Sequence, residues 1–284
     1  MDDWKLRVML TTLRTGSFGK AALELNCSQP AVTQIINSME NELGCKLFLR
    51  SHSGVQLTPE GAALLPLIVE ADACHRRLAD QAKAISRGDM MPVRIAAFSS
   101  LSHAWLPNAI KEFQQRNPSV SFEIRISTNE ITTWLQQGEV DIALADAQRC
   151  EGFQWQPLMD DPYLAVMHRS LAPEGVTAIH QEDLGRYPFI MTPLERHNIS
   201  LSHRPMRCLT VNSDDNSTLF EMVAQGLGVT AAPKLTLYNL PPEVRVLELQ
   251  PPVKRVLGMA MTKSPSKQVK AFADFLLKRV EQFT

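Results

Sequence analysis

Five side chains with neutral hydrogen-bonding heads, Ser28, Gln29, Thr33, Gln34 and Asn37, recur at spacings that gather them on one side of a helix. Each can both donate and accept, which is the repertoire needed to meet base edges in a DNA major groove. Pro30 sits among them and offers an apolar ring to a thymine methyl. Any solvated helix is polar on its outer side, so this face alone leaves DNA binding and plain exposure both open. A second group consists of hydroxyls. Ser99, Ser100 and Ser102 follow one short apolar run and Thr128 follows the next, while Thr192 and Thr230 lie in or after later ones. Ends of parallel strands and the helix starts beyond them are where small polar ligands bind, a carboxylate among them. Helix capping accounts for one of the three serines and leaves two. His103 could add a pH-dependent charge or simply pack.

Covalent and metal chemistry find little footing. There is no Gly-x-Ser-x-Gly elbow, phosphate loop or His-Glu-x-x-His, and the seven histidines lack ligand spacing. Glu195-Arg196-His197 has no partner histidine one helical turn away and reads as a polar loop. No catalytic residue, metal or cofactor is expected. The five cysteines form no CxxC pair and are odd in number, which fits a reducing compartment, with Cys150 and Cys208 expected to be buried and inert.

The elements that must hold the amide face are short helices. Phe18, Ala21, Ala22 and Leu25 share one face, Asn26-Cys27 breaks the pattern, and Ser28 is placed to cap a helix with Pro30 in its first turn. Val32, Ile36, Met39 and Leu43 form the buried stripe of that helix, and Gly44 supplies its stop. Trp4 to Leu13 adds a helix with Leu6, Met9 and Leu13 inward. This is a helix-turn-helix. Ser17-Phe18, Ala21-Ala22, Ser28 to Thr33, Glu40, Leu43-Gly44, Leu47-Phe48, Arg50 and Leu57-Thr58-Pro59-Glu60-Gly61 together resemble, over about sixty residues in order, the N-terminal domain of the LysR-type transcriptional regulators.

The resemblance implies an α/β protein: an all-α-dominated winged helix-turn-helix head, then a two-lobed α/β effector domain similar to periplasmic solute-binding proteins. Lys46 to Arg50 and Val55 to Leu57 flank a Ser/Gly turn as a hairpin would, and in the family such a wing lies on DNA, which makes Arg50 and His52 phosphate candidates. Where relatives often carry Arg or Lys, this chain has Gln34, Asn37, Ser53 and Gln56, and Ile35 stands at a usually polar position. Thr58-Pro59-Glu60 starts a long helix interrupted only by Pro66. Along it Leu64, Ala71, Leu78 and Ile85 recur every seven residues, with Ile68 and Ala82 beside them. A heptad of this kind pairs copies or lies on its own domain; the resemblance favours pairing.

The expected divisions are a head at 1–58, a linker and dimerisation helix at 59–88, and an effector-binding domain at 89–284. Within the last, lobe 1 takes about 91–161 plus 262–284 and lobe 2 about 162–261, joined by crossing strands near Tyr163–Met167 and Leu257–Met261. Alternating strands and helices from Val93 onward imply a parallel sheet. Helices are expected from Ser102 to Arg116, Asn129 to Gln137, Ser217 to Gln225 and Ser266 to Phe283. Gly226-Leu227-Gly228 reads as a helix stop and not a nucleotide loop.

A net charge of −1 carries no overall basic signature, and residues 1–58 hold six Lys or Arg against five Asp or Glu. No run is long enough to span a bilayer and no signal peptide opens the chain, so a cytoplasmic location is expected. The partners expected are double-stranded operator or promoter DNA, a small-molecule effector with an anionic group among the candidates, a second copy in a homodimer or homotetramer, and RNA polymerase as a further candidate; no membrane is expected. Two other readings stay open: a cytoplasmic small-molecule-binding or enzyme domain with a vestigial head, and an architectural DNA binder whose C-terminal part only oligomerises.

Overall fold

Three helices open the chain, and a side-chain oxygen caps each. Asp2 accepts from the Lys5 amide at 2.9 Å to start α1 (Asp3–Thr15), Ser17 from Lys20 to start α2 (Phe18–Glu24), and Ser28 from Ala31 to start α3 (Gln29–Leu43). Gly16 and Gly44 end α1 and α3 at positive φ, where a Cβ would be strained. Two strands follow, β1 (Phe48–Ser51) and β2 (Gly54–Leu57), paired antiparallel from Phe48↔Leu57 to Ser51↔Gly54. The Val55 amide donates to Gly16 O at 3.0 Å and ties this wing to the α1–α2 turn. Leu6, Met9, Phe18, Val32, Ile36, Met39, Leu47 and Phe48 make one buried cluster, with Phe18 and Phe48 edge to face at 6.1 Å.

The computed structural model describes residues 2–51, 54–87, 91–172, 174–192, 208–211 and 216–280. Its two compact units are Met1–Met91 with Thr133–Val140, and Pro92–Thr132 with Asp141–Thr284. The segment 133–140, expected in lobe 1, groups with the first unit because the turn at Gly138 closes on Ala73: a Cβ on that glycine would come within 2.9 Å of the alanine's.

The helix after the wing, α4 (Pro59–Arg87), runs straight through Pro66. Thr58 caps it, accepting from the Gly61 amide at 2.9 Å and donating to Lys46 O at 2.6 Å. Part of the expected pairing seam is used inside the chain. Ile68 is buried in the head cluster, and Leu64 and Ala71 pack against it. Leu78 and Ala82 do face solvent, and Ile85 lies in the last turns of the helix. The exposed apolar positions run instead along Leu67, Cys74 and Leu78, with half-buried Ala71 at their edge. A helix of 3.6 residues per turn drifts against a seven-residue repeat, so its inner side changes along 29 residues.

In the second unit β3 (Val93–Ala97), β4 (Phe122–Ile126) and β5 (Ile142–Ala145) pair in parallel in the order β4-β3-β5, as the alternation predicts. The expected helix from Ser102 to Arg116 is two helices, α5 (Ser99–Ala104) and α6 (Leu106–Arg116), separated at Trp105. Pro107 has no N–H for the next helical bond, and the chain bends there. Between β4 and β5 lies α7 (Ile131–Gln136).

The purely parallel sheet is corrected by the next strands. Strand β6 (Trp155–His168) is much longer than expected, and β12 (Lys254–Met261) pairs antiparallel with both β5 and the first half of β6. The second half of β6 carries β10 (Thr230–Pro233) and β11 (Val244–Gln250), also antiparallel, and β7 (Ala178–His180) closes the far edge in parallel with β11. Strands β7 and β11 were not anticipated. Separate from this sheet, β8 (Phe189–Met191) pairs in parallel with β9 (Cys208–Thr210). A helix at Asn216–Ala224 packs on lobe 2, and one at Lys267–Val280 returns to lobe 1, where Phe272 meets Phe113 at 5.0 Å and Phe122 at 4.8 Å. Gly226 ends the first of these two helices at positive φ, as a helix stop should.

Candidate nucleic-acid interface and ligand site

On α3 the buried stripe Val32, Ile36 and Met39 leaves an opposite groove lined by Gln29, Pro30, Thr33, Gln34, Asn37, Ser38 and Asn41. Ser28 is exposed but uses its hydroxyl on the cap. None of the side chains of Gln29, Thr33, Gln34, Asn37, Ser38 and Asn41 makes a hydrogen bond among the described residues, so their donors and acceptors are available to a partner. Ser38 and Asn41 escaped the sequence reading, although each sits four residues beyond a predicted contact, on the same side of the helix.

The carboxylates of α3 are engaged elsewhere. Glu40 is 5% exposed; its Oε1 accepts from the Leu47 and Phe48 amides at 2.9 and 3.3 Å, and its Oε2 from Lys46 Nζ at 2.6 Å. Burial pushes the Glu40 carboxyl up, but Lys46 and the two amides prevail and hold it below the usual range. Glu42 is held down to about 2 chiefly by Lys5, whose ammonium lies 2.8 Å away. Arg14 pairs with Glu24 and the Arg7 guanidinium lies over the Trp4 ring at 5.4 Å. Of the two phosphate candidates, Arg50 stands opposite Val55 in the wing ladder, and His52 lies outside the described residues.

The second site is at the carboxyl ends of β3, β4 and β5. Ser99, Ser100 and Ser102 all fall there, in α5, but six residues make too short a helix to lend much dipole. The three hydroxyls differ in their hydrogen bonding. Ser102 donates to Phe98 O at 3.1 Å. Ser100, 1% exposed, accepts from Arg255 at 2.9 Å. Ser99 and Thr128 are half-buried, and their hydroxyls make no hydrogen bond among the described residues. Beside Thr128 stands Arg149, which sequence reading missed: its Nε donates to Thr128 O at 2.8 Å, and its own amide is fixed by Asp146 at 2.9 Å. The His103 ring stacks on Tyr238 at 4.2 Å.

Behind Ser100 is a buried node that no local pattern announced. Asp161 on β6 is fully buried and accepts from Arg255 Nε and Nη2 on the neighbouring β12 at 2.9 and 2.8 Å, and from the Leu235 amide at 2.9 Å. The guanidinium also lies 5.5 Å over the Phe98 ring. Asp161 and Arg255 are cross-strand partners, so one ion pair links both crossing strands to α5 on one side and to the β10 end of lobe 2 on the other.

The two later threonines among the candidate hydroxyls are buried. Thr192 follows β8 at 6% exposure, and Thr230 on β10 is fully buried with no partner for its hydroxyl among the described residues. Cys150 is buried, and burial pushes its thiol up to about 12; Cys208, expected to be buried too, is exposed. Among the described residues no three His, Cys, Asp or Glu side chains converge on a common point, and no helix is long and apolar enough to cross a membrane.

Residues 4–62 match the model described as "Bacterial regulatory helix-turn-helix protein, lysR family", and residues 86–281 match "LysR substrate binding domain". The probable HTH-type transcriptional regulator LrrA of Synechococcus elongatus is 31% identical over 284 residues, spanning 96% of this chain and 95% of that protein. The HTH-type transcriptional regulator TdcA of Escherichia coli is 25% identical over 244 residues, spanning 80% and 76%. Among solved structures, CbnR, a LysR family transcriptional regulator, superposes with a TM-score of 0.64 at 18% identity over 99% of both chains. Full-length LysG from Corynebacterium glutamicum, with bound effector Arg, gives 0.61 at 20%, again over 99% of both. At these identities the two structures speak for the fold.

Proposed function

The chain belongs to the LysR family of transcriptional regulators, with its helix-turn-helix head and substrate-binding domain, and on that premise we propose how its residues divide the work. Helix α3 reads base edges in the major groove through Gln29, Pro30, Thr33, Gln34 and Asn37, with Ser28 at its start. Arg50 and His52 in the wing meet phosphate and set the register without reading sequence. The single observation that carries this reading is the groove on α3, a row of exposed amides and Ser38 with half-buried Thr33 among them, whose hydrogen-bonding groups are unspent. Gln29→Ala is expected to lose about 1–3 kcal/mol of specific binding while affinity for random DNA barely changes. Equal loss on operator and random duplex would remove Gln29 from the reading set.

We infer further that the carboxyl ends of β3, β4 and β5 take a small anionic effector, with Ser99 and Thr128 donating and the Arg149 guanidinium supplying charge. Ser100 and Ser102 support that site from behind, and the buried Thr192 and Thr230 belong to its lobe 2 side. Two copies pair through α4 along Leu67, Ala71, Cys74 and Leu78, continuing toward Ala82 and Ile85, and further pairing would give a tetramer. Effector occupancy then alters how the paired heads engage operator DNA and RNA polymerase. We read the protein as non-enzymatic and cytoplasmic, in keeping with chromosomal DNA as its partner.

A further inference from the structure

The type of base pair this protein reads follows from what α3 lacks. Over Gln29–Leu43 the helix has no lysine or arginine; its only charges are Glu40 and Glu42. Guanine is read in the major groove chiefly by Arg or Lys, donating to O6 and N7, and this helix carries neither. Cytosine is read by a carboxylate accepting from its N4 amine. Both carboxylates are already bound, Glu40 to Lys46 and two backbone amides, Glu42 to Lys5. That leaves the groove itself: Gln29, Gln34, Asn37 and Asn41 with free carboxamides, and Thr33 and Pro30 with apolar surface between them. A carboxamide matches adenine, donating to N7 and accepting from N6, and a methyl or ring matches the thymine methyl.

From this we propose that the base pairs facing α3 are A·T pairs, read from the major-groove side through adenine N7 and N6, with no guanine contact from this helix. The inference rests on α3 being the reading helix and adds the chemistry of its target. Three cations of the head, Lys5, Arg14 and Lys46, each have a carboxylate partner.

The test uses the full-length protein and a pool of duplexes with a randomised core. Selection is expected to enrich A·T pairs at the positions under the helix. Replacing adenine there by 7-deazaadenine, which removes N7 and leaves Watson–Crick pairing intact, is expected to weaken binding roughly tenfold per two-point contact, and 7-deazaguanine elsewhere in the site should change nothing. An enriched guanine whose 7-deaza form costs tenfold would overturn the inference while leaving α3 as the reader. An A·T preference indifferent to 7-deazaadenine would overturn it too, since that places the reading in the minor groove. Enrichment of no sequence at all would overturn both this inference and the base-reading role of α3.

Discussion

Glu40 offers the sharpest test of how the head holds α3. The residue lies in the last turns of α3, yet its carboxylate is turned inward to receive the Leu47 and Phe48 amides at the start of the wing. Glu40→Ala strands two buried donors. Each costs about 1–3 kcal/mol, with the longer Phe48 bond at the lower end, and the Lys46 pair, exposed on the lysine side, adds at most about 1 kcal/mol. The expected loss is therefore roughly 2–4 kcal/mol, a large share of a domain's stability. Hydrogen exchange on the full-length chain reads it locally: the Leu47 amide should exchange about thirtyfold to a thousandfold faster in the variant. Glu40→Gln keeps an acceptor in place for both amides and should lose only about 1 kcal/mol. The stabilisation depends on pH in a fixed direction. The bonded form is the carboxylate, and its folded value lies below the ordinary 4.5; the contribution is whole above that value and fades as the pH falls through the lower one. If Glu40→Ala leaves Leu47 protected, or if Glu40→Gln is as damaging as Glu40→Ala, the backbone bonds are not what the residue contributes.

Four other outcomes are expected. Asp161→Ala leaves the Arg255 charge buried and should cost about 3–5 kcal/mol of the effector domain's stability, whereas Asp161→Leu with Arg255→Leu should come close to wild type; calorimetry on both variants decides, and equal damage would show that the node is not a charge pair. Gly61→Ala would bring a methyl within 2.4 Å of Leu47 O, so α4 and the wing must separate, with a loss of about 1–3 kcal/mol in thermal melting; an unchanged melting point refutes the close approach. Leu78→Asp puts charge on the exposed stripe of α4 and should give smaller species in sedimentation, with loss of operator affinity; a variant that stays fully paired would move the seam elsewhere. Cys150, with its thiol pushed up to about 12, should resist an alkylating reagent at pH 8 while exposed Cys208 reacts, and mass spectrometry of the labelled peptides would reveal the opposite ordering.

The head was legible because its determinants are local. Ser28 caps, Gly44 stops, and the spacing of Val32, Ile36 and Met39 says which side of α3 is inside; Gln29, Pro30, Thr33, Gln34 and Asn37 then fall opposite that stripe by helical geometry. The parallel strands β3, β4 and β5 were readable for the same reason, each a short extended stretch between helices.

What remained hidden depends on partners far away in the chain. Asp161 and Arg255 are 94 residues apart, and only the pairing of β6 with β12 makes them neighbours and takes Ser100 into their bond. Arg149 enters the proposed effector site because the turn after β5 carries it back to Thr128. The heptad left the place of Ile68 on α4 open between an outward seam and the head, since the helix drifts against a seven-residue repeat. The head's own core decided it by burying Ile68. Periodicity and capping act over one or two turns and are written in the residues themselves; which buried surface covers which, and which charge finds its counter-charge, is settled only when the chain has closed on itself.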